Sequence, residues 1–167
     1  MRCIAEPAPA PSSSPDDANV PSVSLRGFRP SDVPTISSIV AEALHEHYDP
    51  SLYASLGAEW PAGFLVAADA RGLPVGFLLG VTQVPGEARV LMFAVERDVR
   101  RSGVGSRLME TFLERCRVRG FRRVTLEVRV SNVTAIRFYT HYRYSVIDLL
   151  RAYYSDGENG YHMAVEL

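Results

Sequence analysis

The feature that most constrains this chain is an apolar run that ends in a glycine turn. Val90-Leu91-Met92-Phe93-Ala94-Val95 gives way to a polar link and then to Arg100-Arg101-Ser102-Gly103-Val104-Gly105-Ser106-Arg107-Leu108, where a helical pattern begins. A strand feeding a helix in this way calls for a crossover, so the following strand is predicted to run parallel to it. The turn is also an anion seat. Glycines let the backbone come close, and the free amides and positive dipole end of a helix receive negative charge.

The flanking pattern fixes the class. Val23–Phe28 reads as a short strand. A helix starts at Pro30-Ser31-Asp32, with Ser31 as N-cap and Val33, Ile36, Ile39, Val40 and Leu44 on one face. His45–Pro61 reads as irregular or weakly helical. Strands over Gly63–Ala68, Val75–Val84 and Ala88–Val95, broken by Arg71-Gly72-Leu73-Pro74 and Pro85-Gly86, make an antiparallel meander. A helix over 103–118 turns Val104, Leu108, Met109, Phe112, Leu113 and Cys116 inward and stops at Gly120. Then come a strand at Val124–Val130, a helix at Asn132–His141, and a hairpin of Tyr144–Tyr153 and Gly160–Val165 around Tyr154–Asn159. The expectation is one α/β (α+β) domain over 23–167. Its sheet is mixed and mostly antiparallel, with six to seven strands and helices on both faces. Residues 1–22, rich in Pro, Ala and Ser, read as a disordered tail.

Composition removes several functions. A net charge of −1 argues against a general nucleic-acid binder. The two cysteines, Cys3 and Cys116, form no CxxC pair, which leaves neither a disulfide framework nor a zinc site. His45-Glu46-His47 diverges on a helix and lacks a third ligand, so no metal is expected. No apolar run approaches the roughly 18 residues needed to span a bilayer. Without an apolar signal core, the expected location is the cytoplasm, with no membrane or nucleic-acid partner.

Three readings compete for the glycine turn. A P-loop requires GxxxxGK[ST], and the chain has no lysine. A dinucleotide fingerprint has its first two glycines in Gly103 and Gly105 and an acidic residue in Glu127. Its third glycine position is Leu108, however, and Glu96–Ser102 separates strand from glycines. A plain loop with a glycine N-cap is the remaining reading from the residues alone.

Three ordered motifs resemble a known family. Arg100, Gly103 and Gly105 fit the (Q/R)xxGx(G/A) signature of the GNAT superfamily of N-acetyltransferases. Leu126-Glu127-Val128-Arg129-Val130-Ser131-Asn132-Val133-Thr134-Ala135-Ile136-Arg137-Phe138-Tyr139 is similar to a block of its N-terminal acetyltransferase branch. Arg151-Ala152-Tyr153-Tyr154, with Asp156-Gly157-Glu158 and Met163, resembles the ending of that branch. The similarity covers about residues 24–166, is strongest from 90, and leans toward RimI-like ribosomal-protein alanine acetyltransferases.

The resemblance implies acetyl-coenzyme A as co-substrate and no metal. Amides of the loop Arg100, Arg101, Ser102, Gly103, Val104, Gly105 and Ser106 would cradle its pyrophosphate, with the Arg100 and Arg101 side chains as charge partners and Arg107 helping from the helix; the plainer alternative for these side chains is a solvated basic turn. The pantetheine arm would lie as an added strand along Phe93-Ala94-Val95 and touch Asn132, which also suits the cap of the following helix. This requires the strands 88–95 and 124–130 to splay. Tyr48, Tyr153 and Tyr154 would clamp the acceptor, a protein or peptide N-terminus, with ribosomal proteins among the candidates. The enzyme itself would be a monomer or weak dimer.

The chemistry favours that acceptor. An α-amino group, pKa near 7.7–8.0, is neutral at pH 7 for about 1 kcal/mol, whereas a lysine amine at about 10.4 requires roughly 4.6 kcal/mol. Direct attack of the amine on the thioester then needs only a weak base, relayed through water. Glu127, in the apolar setting Val124-Thr125-Leu126-Glu127-Val128, is the candidate; burial there would raise its pKa. The plainer alternatives for Glu127 are a solvent-facing carboxylate or a partner for Arg129. Tyr139 is the candidate acid toward the departing thiolate, an uphill transfer of roughly 2 kcal/mol, so a hydrogen bond serves as well as full transfer. Its plainer alternative is a core ring beside Phe138 and Phe112. Arg143-Tyr144 stands where the family has Gly-Phe, so either an arginine takes a position at which glycine relieves strain or the loop differs. Alternative functions are acetylation of a small amine and non-catalytic acyl-coenzyme A sensing.

Overall fold

The computed structural model describes residues 22–167 and, in backbone only, residues 4–6. The strands are β1 (Ile4–Glu6), β2 (Ser24–Gly27), β3 (Phe64–Ala68), β4 (Pro74–Val84), β5 (Glu87–Val95), β6 (Arg123–Arg129), β7 (Ser145–Leu150) and β8 (Gly160–Glu166). The helices are α1 (Val33–Leu44), α2 (Pro50–Glu59), α3 (Val104–Val118) and α4 (Val133–His141). The strand order is β2-β3-β4-β5-β6-β8-β7, with β1 set against β5. The β5–β6 pair is parallel, as the crossover through α3 requires, and β2 to β5 form the antiparallel meander. The expected tail over 1–22 lies outside the described residues, apart from the backbone of Ile4–Glu6, which runs as a strand.

Two hydrophobic layers enclose the sheet. Val104, Leu108, Phe112 and Phe138 of α3 and α4 pack on Val90, Phe93, Val124 and Leu126. Ile36, Ile39 and Val40 of α1, with Tyr53 of α2, pack on Val66, Phe77, Leu79 and Leu91 of the other face. Covered on both sides, β3 is buried at every position.

Two local expectations need correction. The segment 45–61 is irregular only over 45–49 and then fully helical, not weakly so, over α2: Asp49 caps the helix by accepting from the Ser51 amide at 2.8 Å, and Pro50 opens it. Ser31 does not cap α1. Residues Pro30–Asp32 make a 3-10 turn, α1 starts at Val33, and Asp32 holds the junction instead. Its carboxylate accepts from Arg26 Nη1 and Nη2 of β2 at 2.7 and 2.8 Å and from the Arg29 amide at 2.8 Å. Burial pushes the Asp32 carboxyl up, but the Arg26 and Arg29 hydrogen bonds outweigh it and hold the group below the usual range.

Candidate active site

The site begins where two parallel strands part. β5 and β6 are paired only from Glu87–Arg89 to Arg123–Thr125. Directly beyond, β5 carries a bulge. Leu79 of β4 opposes Met92 while Gly80 opposes Val90, so Leu91 is the extra residue. A bulge bends its strand, and the bend takes Met92–Val95 away from β6. The backbone of Ile4–Glu6 runs parallel to Met92–Ala94 on the opened side. Phe93 and Ala94 belong to the run on which a pantetheine arm is expected, so β1 and that arm use the same strand edge.

The glycine turn follows from the end of β5. After a 3-10 turn at Arg97–Val99, Arg101 and Gly103 both take left-handed conformations, φ 67 and 82. A Cβ on Gly103 would meet no atom within 4 Å, so the backbone here faces open space. Arg107 is the first residue whose amide bonds within the helix, to Gly103. The amides of Val104, Gly105 and Ser106 therefore precede the helical ladder. Of the expected charge partners, Arg100 and Arg107 are engaged with backbone carbonyls, as is Ser102. Arg100 Nε donates to the Val95 carbonyl at 2.9 Å, Ser102 Oγ to the Val99 carbonyl at 2.6 Å, and Arg107 Nη1 to the Val23 carbonyl at 2.8 Å. The turn thus offers mainly its amides to an anion.

Glu127 lies on β6, two residues past the last pairing with β5, and is 5% exposed. The apolar setting expected for it is not what surrounds it. Arg89 Nε and Nη2 donate to its Oε2 at 2.9 and 2.6 Å, and Arg89 Nη2 also donates to the Tyr153 hydroxyl at 3.1 Å. The reason is register: Arg89 opposes Thr125 at the fork, which puts it on the same sheet face as Glu127. On the other flank of β6, His162 of β8 is directly opposite Glu127, with Nε2 3.9 Å from Oε1. Arg129 does not pair with Glu127; it donates to Asp156 and Glu158 at 2.8 and 2.7 Å.

Tyr139 is fully buried near the end of α4, its ring 5.6 Å from those of Phe138 and Tyr144. It belongs to the hydrophobic layer on the α3–α4 face, opposite to Glu127. The fork between β5 and β6 separates the two. Asn132 caps α4 as expected, its side chain accepting from the Ala135 amide at 3.0 Å.

Tyr153 and Tyr154 lie in the loop between β7 and β8, with rings 5.1 Å apart and edge-on. Together with Tyr48 they pack against the α1–α2 layer. Arg129 stacks over Tyr154 at 4.0 Å, so the loop is held by a stacked cation as well as by its ion pairs. Hydrogen bonds from Ser131 and the Arg129 guanidinium hold the Glu158 carboxyl below the usual range. A cleft of about 500 Å³ opens between the end of α1, the start of α4 and this loop, lined by His45, Glu46, Arg129, Asn132, Tyr154 and Asp156. Among the described residues no group of His, Cys, Asp or Glu is arranged to hold a metal, and no helix is long and apolar enough to cross a membrane.

Two residues of the site escape the sequence reading, Arg89 and His162. Each is a charged or titratable residue inside an otherwise apolar strand, between Ala88 and Val90 and between Tyr161 and Met163. That interruption is the available signal; their common partner, Glu127, is set only by strand pairing.

Residues 33–143 match the acetyltransferase (GNAT) family. The chain is similar to Ard1 from Thermoplasma volcanium, with 41% identity and a TM-score of 0.84 over 87% of this chain and 98% of that one. It is similar to the N-alpha-acetyltransferase of Sulfurisphaera tokodaii, 33% identical over 155 residues, covering 86% of this chain and 92% of the relative. The ribosomal-protein-S18-alanine N-acetyltransferase from Escherichia coli is more distant, at 26% identity and a TM-score of 0.75 over 86% and 93% of the two chains.

Proposed function

The chain belongs to the GNAT family of acetyltransferases and is an acetyl-coenzyme A-dependent acyltransferase, and we propose that it acetylates the α-amino group at the N-terminus of a polypeptide, with Glu127 as base and Tyr139 as hydrogen-bond donor to the departing sulfur. The observation that carries this reading is the fork. A buried carboxylate stands where β5 and β6 part, on the face covered by Tyr153 and Tyr154, and a buried phenol stands on the opposite face. Relatives named N-alpha-acetyltransferase support the class of acceptor.

The chain's residues fit the coenzyme. The amides from Arg101 to Ser106 suit its diphosphate at the start of α3, and Phe93–Val95 offer a bent strand edge to its amide-bearing arm. When bound, acetyl-coenzyme A supplies the activated acyl group. Glu127 takes the proton of the acceptor ammonium, a task that an α-amine makes small. Arg89 fixes the carboxylate through Oε2, leaving Oε1 for that proton. Tyr153, bonded to Arg89, ties the acceptor loop to the same carboxylate.

Peptides with free N-termini, lysine-containing peptides with blocked N-termini, and polyamines separate the acceptor classes. Acetylation of the first set alone is expected. Faster turnover of the blocked peptides or of polyamines would overturn the reading.

A further inference from the structure

Glu127 is the inner end of a polar row that crosses three strands. His162 of β8 opposes Glu127 of β6, and Asp148 of β7 opposes His162. Glu127 and His162 are directly opposed in an unbroken antiparallel register and so share a face, with Cβ atoms about 5 Å apart, whereas the β7–β8 register shifts just before Asp148, whose Oδ1 accepts from the Leu149 amide at 2.8 Å. Exposure rises along the row: Glu127 is 5% exposed, the His162 side chain 28%, and Asp148 lies open on the edge strand. Glu127 spends Oε2 on Arg89, and its Oε1 lies 3.9 Å from His162 Nε2.

We propose that His162 is a proton relay that carries the acceptor amine's proton from Glu127 to solvent. It acts through Glu127 and not on the substrate, and the proposal rests on Glu127 being the base. The N–H bond of the ammonium breaks and the proton passes to Glu127 Oε1. It moves to His162 Nε2, while Nδ1 releases a proton to bulk water. The imidazole ends neutral, and no electron pair is gained or lost. Imidazole suits this step because its two nitrogens accept and donate in turn. The charged groups facing it are Glu127 from β6 and Asp148 from β7.

Steady-state acetylation of a peptide by the full chain tests the relay in His162→Ala, His162→Gln and Glu127→Gln variants. The expected result for His162→Ala is a kcat lower by about tenfold, the low end of acid–base contributions being larger still. KM values and acetyl-coenzyme A affinity by calorimetry stay near those of the unaltered chain. Added imidazole restores much of the lost rate in His162→Ala and none in Glu127→Gln. His162→Gln, which keeps the bulk of the side chain, shows the same loss and separates proton transfer from packing. His162→Ser serves as a second cavity variant should the alanine chain fold poorly. Unchanged turnover without His162, or a loss that imidazole does not restore, overturns the relay. Unchanged turnover in Glu127→Gln overturns the base itself, whereas loss there with full activity in His162→Ala overturns the relay alone.

Discussion

Tyr139 and Arg143 show how closely one helix end is specified. Tyr139 is both a buried ring and a backbone acceptor. The Tyr144 amide bonds to its carbonyl at 3.1 Å and the Arg143 amide to that of Thr140 at 2.9 Å, the Schellman pattern of a helix C-terminus. The end of α3 uses the same two bonds, from Phe121 to Cys116 and from Gly120 to Arg117. There glycine takes the left-handed position at φ 81; in α4 an exposed arginine takes it at φ 65. The strain anticipated from Arg143-Tyr144 is therefore present. Arg143→Gly is expected to stabilise the fold by about 1 kcal/mol, the size of the left-handed penalty, raising the melting temperature by roughly 3 °C in a scanning calorimeter. Tyr139→Phe keeps the ring and removes the hydroxyl. It is expected to lower the acetylation rate at least about tenfold while leaving acetyl-coenzyme A affinity intact, and unchanged turnover would remove Tyr139 from the chemistry. Cys116 has no such role, since burial under α3 pushes its thiol up to about 12 and makes it a core filler.

Among the elements, β5 and the turn after it do most to make a site. The extra residue at Leu91 bends the strand, the fork with β6 opens at that point, and α3 begins with free amides beyond it. Gly103 sits in the left-handed region with open space around it. A glutamate there puts a carboxylate beside the amides proposed to take the diphosphate. Gly103→Glu is expected to abolish acetyl-coenzyme A binding by calorimetry in a chain that still unfolds cooperatively; normal affinity would refute the phosphate seat. Strand, turn and helix were legible in the sequence because apolar runs and glycine positions are local signals. The bulge was not, because it depends on which residues of β4 lie opposite. Nor was the partner of Glu127, since Arg89 is distant in the chain and meets it only through parallel pairing. Apolar neighbours in sequence predicted an apolar setting; in a strand those neighbours point to the other face.

At the scale of the whole molecule, the Arg26–Asp32 pair ties the first strand of the meander to α1 from a site where Asp32 is 3% exposed. The Asp32 carboxyl is held below its unfolded value, so its contribution is present above about pH 4 and lost as pH falls through the folded value. Asp32→Asn is expected to lose about 3 kcal/mol in urea unfolding at pH 7, and the difference from the unaltered chain should narrow on acidification below pH 4. The strand β1 is a second long-range link, because it uses the edge of β5 at Met92–Ala94. Removing residues 1–6 is expected to lower the KM for acetyl-coenzyme A severalfold with kcat unchanged; an unchanged KM would show that the two do not compete. By itself the sequence determined most of the elements, the parallel crossover, the glycine turn before α3 and the residues at motif spacing. All of these follow from period, propensity and backbone chemistry within short windows. Only the tertiary structure decided that β5 leaves β6 beyond Arg89, and that Arg89 and His162 converge on Glu127. It alone decided that Tyr139 stands on the opposite face. Those facts depend on strand order and register, which no single segment encodes, because hydrogen-bonded pairing between distant strands sets which side chains meet.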